Sequence, residues 1–398
     1  MGPCFRNSAQ PLGFEMNCPL DRTAIVGIGQ TEFSKNSGRS ELQLALEASK
    51  AALDDAGLSP ADIDGMITFV EDTNLEYDVI DHLGIREIRW SARTTGGGGG
   101  ANATVHLAAT AVAAGAAEAV LIYRAFNERS GRRFGQPTAG YAVGPPQQDI
   151  HFSFGLNTPA KMYALWYQPY MSKYGVTNED LADYVVTARQ HAATNPAAWF
   201  YRKPITVADH QNSRWIAEPV LRLLDCCQES DGGVALIVTS AERAKDLRQP
   251  GVRIVGATQS YLNGVHIMFN YYHQNIADFA GVRALSAQLW KQTGLGTQDI
   301  DVCMIYENFS PIVFMTLEGY GFCGGGEAKS FIKDGHIGLK GSLPVNTNGG
   351  LLGEAYIHGV NNVLEGVRQI RGTAANQIAD AEHALVTTNR SAVILGKM

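Results

Sequence analysis

The chain has 398 residues, 45% of them hydrophobic and 18% charged, with a formal net charge of −7, which excludes a disordered polymer and leaves room for two units with their own cores. The acidic balance argues against a nucleic-acid partner, and neither an apolar run of roughly 18 residues nor a charged-then-hydrophobic leader is present. No membrane partner is expected, and the cytoplasm is the expected compartment.

Residues 1–21 hold Pro, Gly, Asn and two Cys without periodicity and are read as an N-terminal tail. Thr23 to Gly29 then reads as a buried strand ending in glycine. Its G-x-G lacks the third glycine of a dinucleotide fingerprint, because Phe33 and Ser34 stand where that residue would fall. An amphipathic helix is predicted over Glu41 to Ala56, stopped by Gly57, and a strand over Ile67 to Val70. Arg93-Thr94-Thr95 leads into five consecutive glycines, Gly96 to Gly100, and a small-residue helix from Ala101 to Ala114. Such a run lets backbone crowd against a ligand and presents helix N-terminal N–H groups to an anion or a developing oxyanion. It contains no Ser, Cys or Lys to act as a nucleophile.

Ala119 to Tyr123 is the next buried strand. From about Arg124 to Leu221 the alternation breaks into a stretch rich in aromatics, including Phe152, Phe154, Trp166, Tyr167, Tyr170, Tyr174, Trp199, Phe200, Tyr201 and Trp215. This is read as an inserted helical subdomain with its own aromatic core, or as the wall of a site for a bulky apolar substrate, and the two are compatible. Regular structure resumes with a strand over Asp231 to Thr239, and Val252 to Gly256 opens a second cycle.

The second cycle repeats the first. Gly57-Leu58-Ser59-Pro60-Ala61-Asp62-Ile63-Asp64 aligns without a gap on Gly294-Leu295-Gly296-Thr297-Gln298-Asp299-Ile300-Asp301, and the register continues so that Phe69 stands opposite Tyr306. The shared Gly-Leu and Asp-Ile-Asp, after a helix and before a strand each time, indicate a duplicated unit. The expected architecture is α/β: a half over 22–250 carrying the insertion at about 124–221, and a half over 251–398. Two mixed sheets would have helices between and outside them. Ligands of such sheets lie beyond the carboxyl ends of strands, which places Tyr306 at a site. The stretch from Pro344 to Gly359 adds Glu354, Tyr356 and His358, three titratable groups within five residues, in a loop whose glycines and asparagines imply a special backbone path.

These features resemble the thiolase fold, over nearly the whole chain from about Arg22 to Gly396, which implies a layered α-β-α-β-α structure. Asp225-Cys226-Cys227-Gln228-Glu229-Ser230-Asp231-Gly232-Gly233 is similar to the C-C-x-x-S-D-G segment of thiolases related to sterol carrier proteins. Four catalytic motifs of that family are altered. Counting from Ala113-Ala114-Gly115, the nucleophilic Cys would fall near Gly98. The N-E-A-F motif reads Tyr306-Glu307-Asn308-Phe309, the G-H-P histidine falls on Tyr356, and the C-x-G region reads Thr387-Thr388-Asn389-Arg390. With thiolate, base and shuttle gone, thiolysis through an acyl-cysteine is not expected.

Glycine at the nucleophile position together with two tyrosines resembles the lipid-transfer-protein-type aldolases of bacterial steroid side-chain degradation. The resemblance implies retro-aldol cleavage of a β-hydroxyacyl-CoA of 17-hydroxy or 22-hydroxy type. The products would be a short acyl-CoA such as propionyl-CoA or acetyl-CoA and a steroid ketone or aldehyde. It further implies a homodimer core with a small OB-fold, zinc-ribbon protein on each subunit, a heterotetramer, and no cofactor beyond the CoA of the substrate.

Tyr306 and Tyr356 are the expected acid–base pair. A phenol of ordinary pKa is ionised to roughly one part in a thousand at pH 7, a cost of about 4 kcal/mol, so donors or cations beside it are expected to lower that cost. Gly97, Gly98 and Gly99 are expected to offer backbone N–H groups to the enolate. His358, Glu354 and Glu307 are candidates to bind substrate or tune the tyrosines, each with a satisfied structural role as its alternative. His266 and His273 are weaker candidates, and Arg129, Arg132 and Arg133 are candidates for the CoA phosphates. Two other readings remain: a non-catalytic acyl-CoA or lipid carrier in a thiolase shell, and a condensing enzyme with Cys303 or Cys323 as a relocated nucleophile. The six cysteines, the other four being Cys4, Cys18, Cys226 and Cys227, show no C-x-x-C spacing and are read as reduced thiols.

Overall fold

The structure is a computed structural model describing residues 18–136, 151, 153–265, 268 and 273–398. Cys4, Phe152 and His266 lie outside the described residues.

Strand β1 (Thr23–Gln30) is followed by the helix Glu41–Ala56, capped by Ser40, whose hydroxyl accepts from Gln43 N–H, and ended by Gly57 in the left-handed region. The two glycines of the incomplete fingerprint have a packing role. A Cβ on Gly27 or Gly29 would run into the carbonyls of Ala52 and Ala48, so their bare backbone lets this helix lie directly on the strand. Strands β2 (Gly65–Phe69), β3 (Trp90–Thr94), β4 (Ala119–Asn127) and β7 (Asp231–Ser240) complete the first half. The short helix Glu76–Leu83 and the edge strand β3 carry no clear signal in the sequence. The insertion contains the helices Pro159–Tyr174, Asn178–Thr194 and Val207–Asn212 and a hairpin, β5 (Trp215–Ala217) with β6 (Leu221–Arg222). The second half holds β8 (Val252–Gln259), β9 (Val302–Ile305), β10 (His383–Thr387) and β11 (Ser391–Gly396).

The duplicated unit is duplicated in its chemistry. Gly57 and Gly294 both end their helices in the left-handed region, at φ 73° and 71°. Asp64 accepts from the N–H groups of Glu118 and Ala119 at the start of β4, and Asp301 accepts from those of Glu382 and His383 at the start of β10. In each half the braced strand pairs in parallel with the strand that follows the aspartate, β2 with β4 and β9 with β10.

The sheet order is β3-β2-β4-β7-β1-β8-β11-β10-β9. In place of the two separate mixed sheets expected from the sequence there is one nine-stranded sheet, its halves joined where β1 and β8 pair antiparallel through Ala24 with Arg253 and Ile25 with Val252. The helices Ala101–Ala113 and Val360–Arg371 touch each other and pack on strands of both halves, forming the central layer. Glu41–Ala56 covers the outside of the first half, and Ala280–Thr293 and Pro311–Tyr320 belong to the apolar cluster outside the second. That outer cluster also takes in Tyr163, Trp166, Tyr167 and Tyr170 of the insertion, so the insertion shares a core with the second half. This is the mixed α/β architecture, with a helical layer at its centre and helices outside, that the resemblance implied. No helix among the described residues is long and apolar enough to cross a membrane.

Candidate active site

Beyond the carboxyl end of β9 lies a cavity of about 690 Å³, lined by the glycine run, Tyr306, Tyr356 and His358 on one side and by Tyr163, Phe200 and Phe309 on another. The glycines belong to a tight turn, Gly97–Gly100, that opens the helix Ala101–Ala113, with Gly96 and Gly97 at positive φ. Thr388 and Ser391 both donate through their hydroxyls to the Gly99 carbonyl, at 2.8 and 2.7 Å. The segment standing where the family carries C-x-G therefore clamps the glycine turn.

Tyr306 occupies the space above that turn. A Cβ built on Gly98 would fall inside the phenol ring, against Cε2, Cζ and Oη. On the far side of the ring, a Cβ on Gly359, which has φ +78°, would meet Tyr306 Cδ2 at 2.7 Å. Two glycines thus create the slot for one tyrosine. Tyr306 Oη lies 2.9 Å from Tyr356 Oη, bringing together two groups 50 residues apart in sequence. The cysteine-pair segment ties their loops: Cys227 N–H donates to Asn308 O, Gln228 N–H to Leu351 O, and Tyr356 N–H to Ser230 Oγ at 3.3 Å.

The electrostatics run against the expectation that neighbours lower a phenol pKa here. Burial, with Tyr306 5% and Tyr356 7% exposed, pushes both hydroxyls well above the usual tyrosine range. The free site therefore holds a neutral, hydrogen-bonded phenol pair.

His358, 3% exposed and at φ +50°, faces the same cavity. Of the three glycine N–H groups, that of Gly97 donates to Glu71 Oε1 at 3.1 Å and that of Gly99 to Gly96 O at 3.1 Å. Gly98 N–H is the one not engaged in this way among the described residues. The two glutamates are elsewhere. Glu307 turns its Oε1 to Leu351 N–H at 2.7 Å, and Glu354 accepts from Asn348 and Asn361 at 2.7 and 2.8 Å; neither lines the cavity. Burial raises them to about 8 and about 7. Glu354 has the geometry of a satisfied structural acid, whereas Glu307 is held through Oε1 alone and its buried Oε2 has no hydrogen-bond partner among the described residues. His273 bonds the Asn275 carbonyl and does not line the cavity. Cys303 is buried on β9 and Cys323 is also absent from the lining, and burial raises both thiols, so neither stands as a relocated nucleophile.

Sequence reasoning passed over Arg124, Tyr163 and Glu128, all of which line or back this cavity. Arg124 and Glu128 carried a signal, as charged residues at the end of an apolar strand; Tyr163 was one more aromatic among many. The rim carries Arg129, Arg132 and Arg133, of which Arg133 is paired with Glu229 at 2.6 Å.

Comparison with known proteins sharpens this geometry. The Thiolase C-terminal domain-like family model matches residues 268–394. A steroid side-chain-cleaving aldolase of Thermomonospora curvata is 52% identical over 381 residues, spanning 94% of this chain and 97% of its own. The 17-hydroxy-3-oxo-4-pregnene-20-carboxyl-CoA lyase of Mycobacterium tuberculosis is 51% identical over 383 residues, spanning 94% and 99%. Among solved structures, the Ltp2-ChsH2(DUF35) aldolase superposes with a TM-score of 0.90 at 50% identity, over 95% of this chain and 98% of that one. Human mitochondrial 3-ketoacyl-CoA thiolase superposes at 0.69 and 16% identity, over 95% and 100%, a likeness of fold alone.

Proposed function

Because this chain belongs to the steroid side-chain-cleaving aldolases of the thiolase superfamily, it is a carbon–carbon lyase acting on a CoA thioester, and we propose that Tyr306 and Tyr356 carry its retro-aldol step. The observation that carries this reading is the 2.9 Å contact between two neutral phenols over a glycine where a thiolase would present its nucleophile.

A retro-aldol reaction breaks the bond between the α- and β-carbons of the β-hydroxy thioester. The bonding pair moves into a thioester enolate while the hydroxyl O–H breaks and its oxygen becomes the ketone. One proton must pass from that oxygen to the α-carbon. Two bonded phenols can move it without either resting as a phenolate: the first accepts the hydroxyl proton as it passes its own to the second, which protonates the α-carbon. Burial, which makes a free phenolate costly, favours such a concerted relay. The enolate oxygen is held by Gly98 N–H and His358, donors typically worth a few kcal/mol each in the transition state.

The substrate we propose is a 17-hydroxy steroid carrying the C20 carboxyl as its CoA thioester, as the name of the mycobacterial relative has it. Cleavage would give a 17-ketosteroid and propionyl-CoA; a 22-hydroxy thioester is the alternative. The wall of Tyr163, Phe200 and Phe309 suits an apolar ring system, and Arg129 and Arg132 on the rim suit the CoA phosphates. The reaction is proposed to need no cofactor of its own. The solved relative is named for two components, Ltp2 and ChsH2(DUF35), which supports a partner protein; we propose a small OB-fold partner on each subunit of a homodimer. The cytoplasm is the proposed compartment.

The test is to incubate the chain, co-purified with such a partner, with the 17-hydroxy thioester and to follow ketone and propionyl-CoA. Tyr306→Phe and Tyr356→Phe should each lower kcat by about 10²-fold or more while substrate still binds. Wild-type complex that binds the thioester and releases neither product would leave a carrier, and two fully active phenylalanine variants would remove the relay.

A further inference from the structure

Arg124 lies within β4 and is 1% exposed. Its Nη1 donates to Asp72 Oδ2 at 2.8 Å and to the Ala125 carbonyl at 2.9 Å, and its Nε donates to His358 Nδ1 at 3.1 Å. A guanidinium has donors only, so Nδ1 of His358 must offer its lone pair, and the ring proton must sit on Nε2. Its neighbours hold the ring against the flip that would put carbons in the places of the two nitrogens: it is stacked on Phe134 at 5.6 Å, flanked by Phe126 at 5.1 Å and Phe69 at 5.6 Å, and meets the edge of Tyr356 at 5.4 Å. Nε2 points at the glycine turn, 3.9 Å from the place a Cβ on Gly97 would take, and has no hydrogen-bond partner among the described residues.

We propose that Arg124, backed by Asp72, is a positioning residue that locks His358 as a neutral Nε2–H donor to the thioester oxygen as it becomes an enolate. This rests on the aldolase reading. An imidazolium would surrender its proton to the enolate oxygen; a neutral imidazole lends a hydrogen bond and keeps its proton, so that the proton reaching carbon comes from the tyrosine pair. The groups facing the ring are consistent with the lock. Arg124 is the cation in contact, Asp72 lies behind it, Tyr356 and then Tyr306 close the cavity side, and Glu71 is engaged with Gly97 N–H. Burial first, and Arg124 second, hold His358 well below the ordinary histidine range.

The experiment compares pH–rate profiles of the full chain with its partner for wild type, Arg124→Gln and the pair Arg124→Gln with His358→Gln. Arg124→Gln leaves Asp72 buried without its cation, so a version also carrying Asp72→Asn guards against misfolding. Wild type should show no histidine limb between pH 5.5 and 7.5. With the guanidinium gone, one of the two causes that hold His358 down is removed while burial remains, so His358 should titrate at a higher pH than in wild type, and Arg124→Gln should gain an acid limb, losing kcat severalfold more at pH 5.5 than at pH 8, with KM little changed. The added His358→Gln, which keeps a donor but cannot titrate, should remove that limb. A uniform loss at every pH, or no loss, overturns the proposal, since a purely structural arginine would create no new limb. Imidazole ¹⁵N shifts of the free protein read the tautomer without any turnover: a bare, non-titrating Nδ1 is expected, and a protonated Nδ1 would overturn the lock even if cleavage is confirmed. Failure of wild type to cleave would instead count against the aldolase reading alone.

Discussion

Gly98 and Tyr306 are one feature written at two positions. The phenol can sit over the turn only because residue 98 has no side chain, and its hydroxyl can meet Tyr356 only from that slot. Gly98→Ala should therefore do more than crowd the cavity. Its methyl would push the Tyr306 ring out of line with Tyr356, costing about 1–3 kcal/mol of stability and about 10²-fold or more in kcat. Denaturant unfolding and steady-state cleavage measure the two effects separately. Gly98→Cys should be equally impaired in cleavage and should show no thiolysis of a 3-ketoacyl-CoA, because no histidine stands at 306 or 356 to activate the thiol. A Gly98→Ala variant with wild-type cleavage would show that the tyrosine contact is dispensable.

Between elements, the insertion is fastened to the second half by Asp225. Its Oδ1 accepts from Ser310 Oγ at 2.6 Å and lies 2.9 Å from His210 Nε2; its Oδ2 accepts from Asn178 Nδ2 at 2.9 Å and Arg222 N–H at 2.7 Å. One fully buried carboxylate thus joins the starts of the helices Asn178–Thr194 and Pro311–Tyr320 to the short helix Val207–Asn212. Phe200 follows the first of these helices, and Phe309, in the loop after Tyr306, precedes the second, so two of the three apolar wall residues flank them. Asp225→Ala leaves several buried donors without an acceptor and should cost about 3–5 kcal/mol. The loss should appear first as protease cleavage within 159–221, at denaturant concentrations where the β-sheet is still intact. Cleavage elsewhere, with the insertion last to go, would contradict this role.

At the scale of the whole molecule, buried acids and histidines set how stability depends on pH. Glu307 at about 8 and Glu354 at about 7 keep protons that the unfolded chain releases near pH 4.3. Their contribution is full below that pH and is lost as pH rises through 7 and 8. His191 and His358 are held below the ordinary value of about 6.5, so their contribution is present above it and is lost as pH falls. The two trends oppose each other between about pH 4.3 and 6.5, and only the acids act above it. Stability should thus decline from pH 6.5 to 8, by up to about 1.4 kcal/mol per pH unit for each titrating group. Glu307→Gln, which keeps the oxygen that Leu351 N–H needs, should flatten that decline in urea unfolding at pH 6, 7 and 8; an unchanged slope would mean that Glu307 is already ionised in the folded protein.

Much of the fold and part of the site could be read from the residues in order. The helix Glu41–Ala56 was legible to its last residue, because a serine cap and a left-handed glycine are local signals. The duplication was legible because the same Gly-Leu and Asp-Ile-Asp must make the same turn and the same brace in both halves. Glycine at 98 and tyrosine at 306 and 356 were legible as replacements within motifs. The seam between β1 and β8, the edge strand β3 and the sharing of the insertion's core with the second half were not, because pairing and packing partners far apart in sequence leave no local pattern. The same reason separates the acids from the site. Glu307 and Glu354 stand beside Tyr306 and Tyr356 in sequence, yet successive side chains leave the backbone in different directions, and these two turn into structural networks. Arg124, 182 residues before Tyr306, reaches the cavity only because β4 ends beside it and the guanidinium meets His358 across 234 residues. Which groups the chain carries was decided by its sequence; which of them face one another, and hence which stay neutral, was decided by the burial and contacts of the folded molecule.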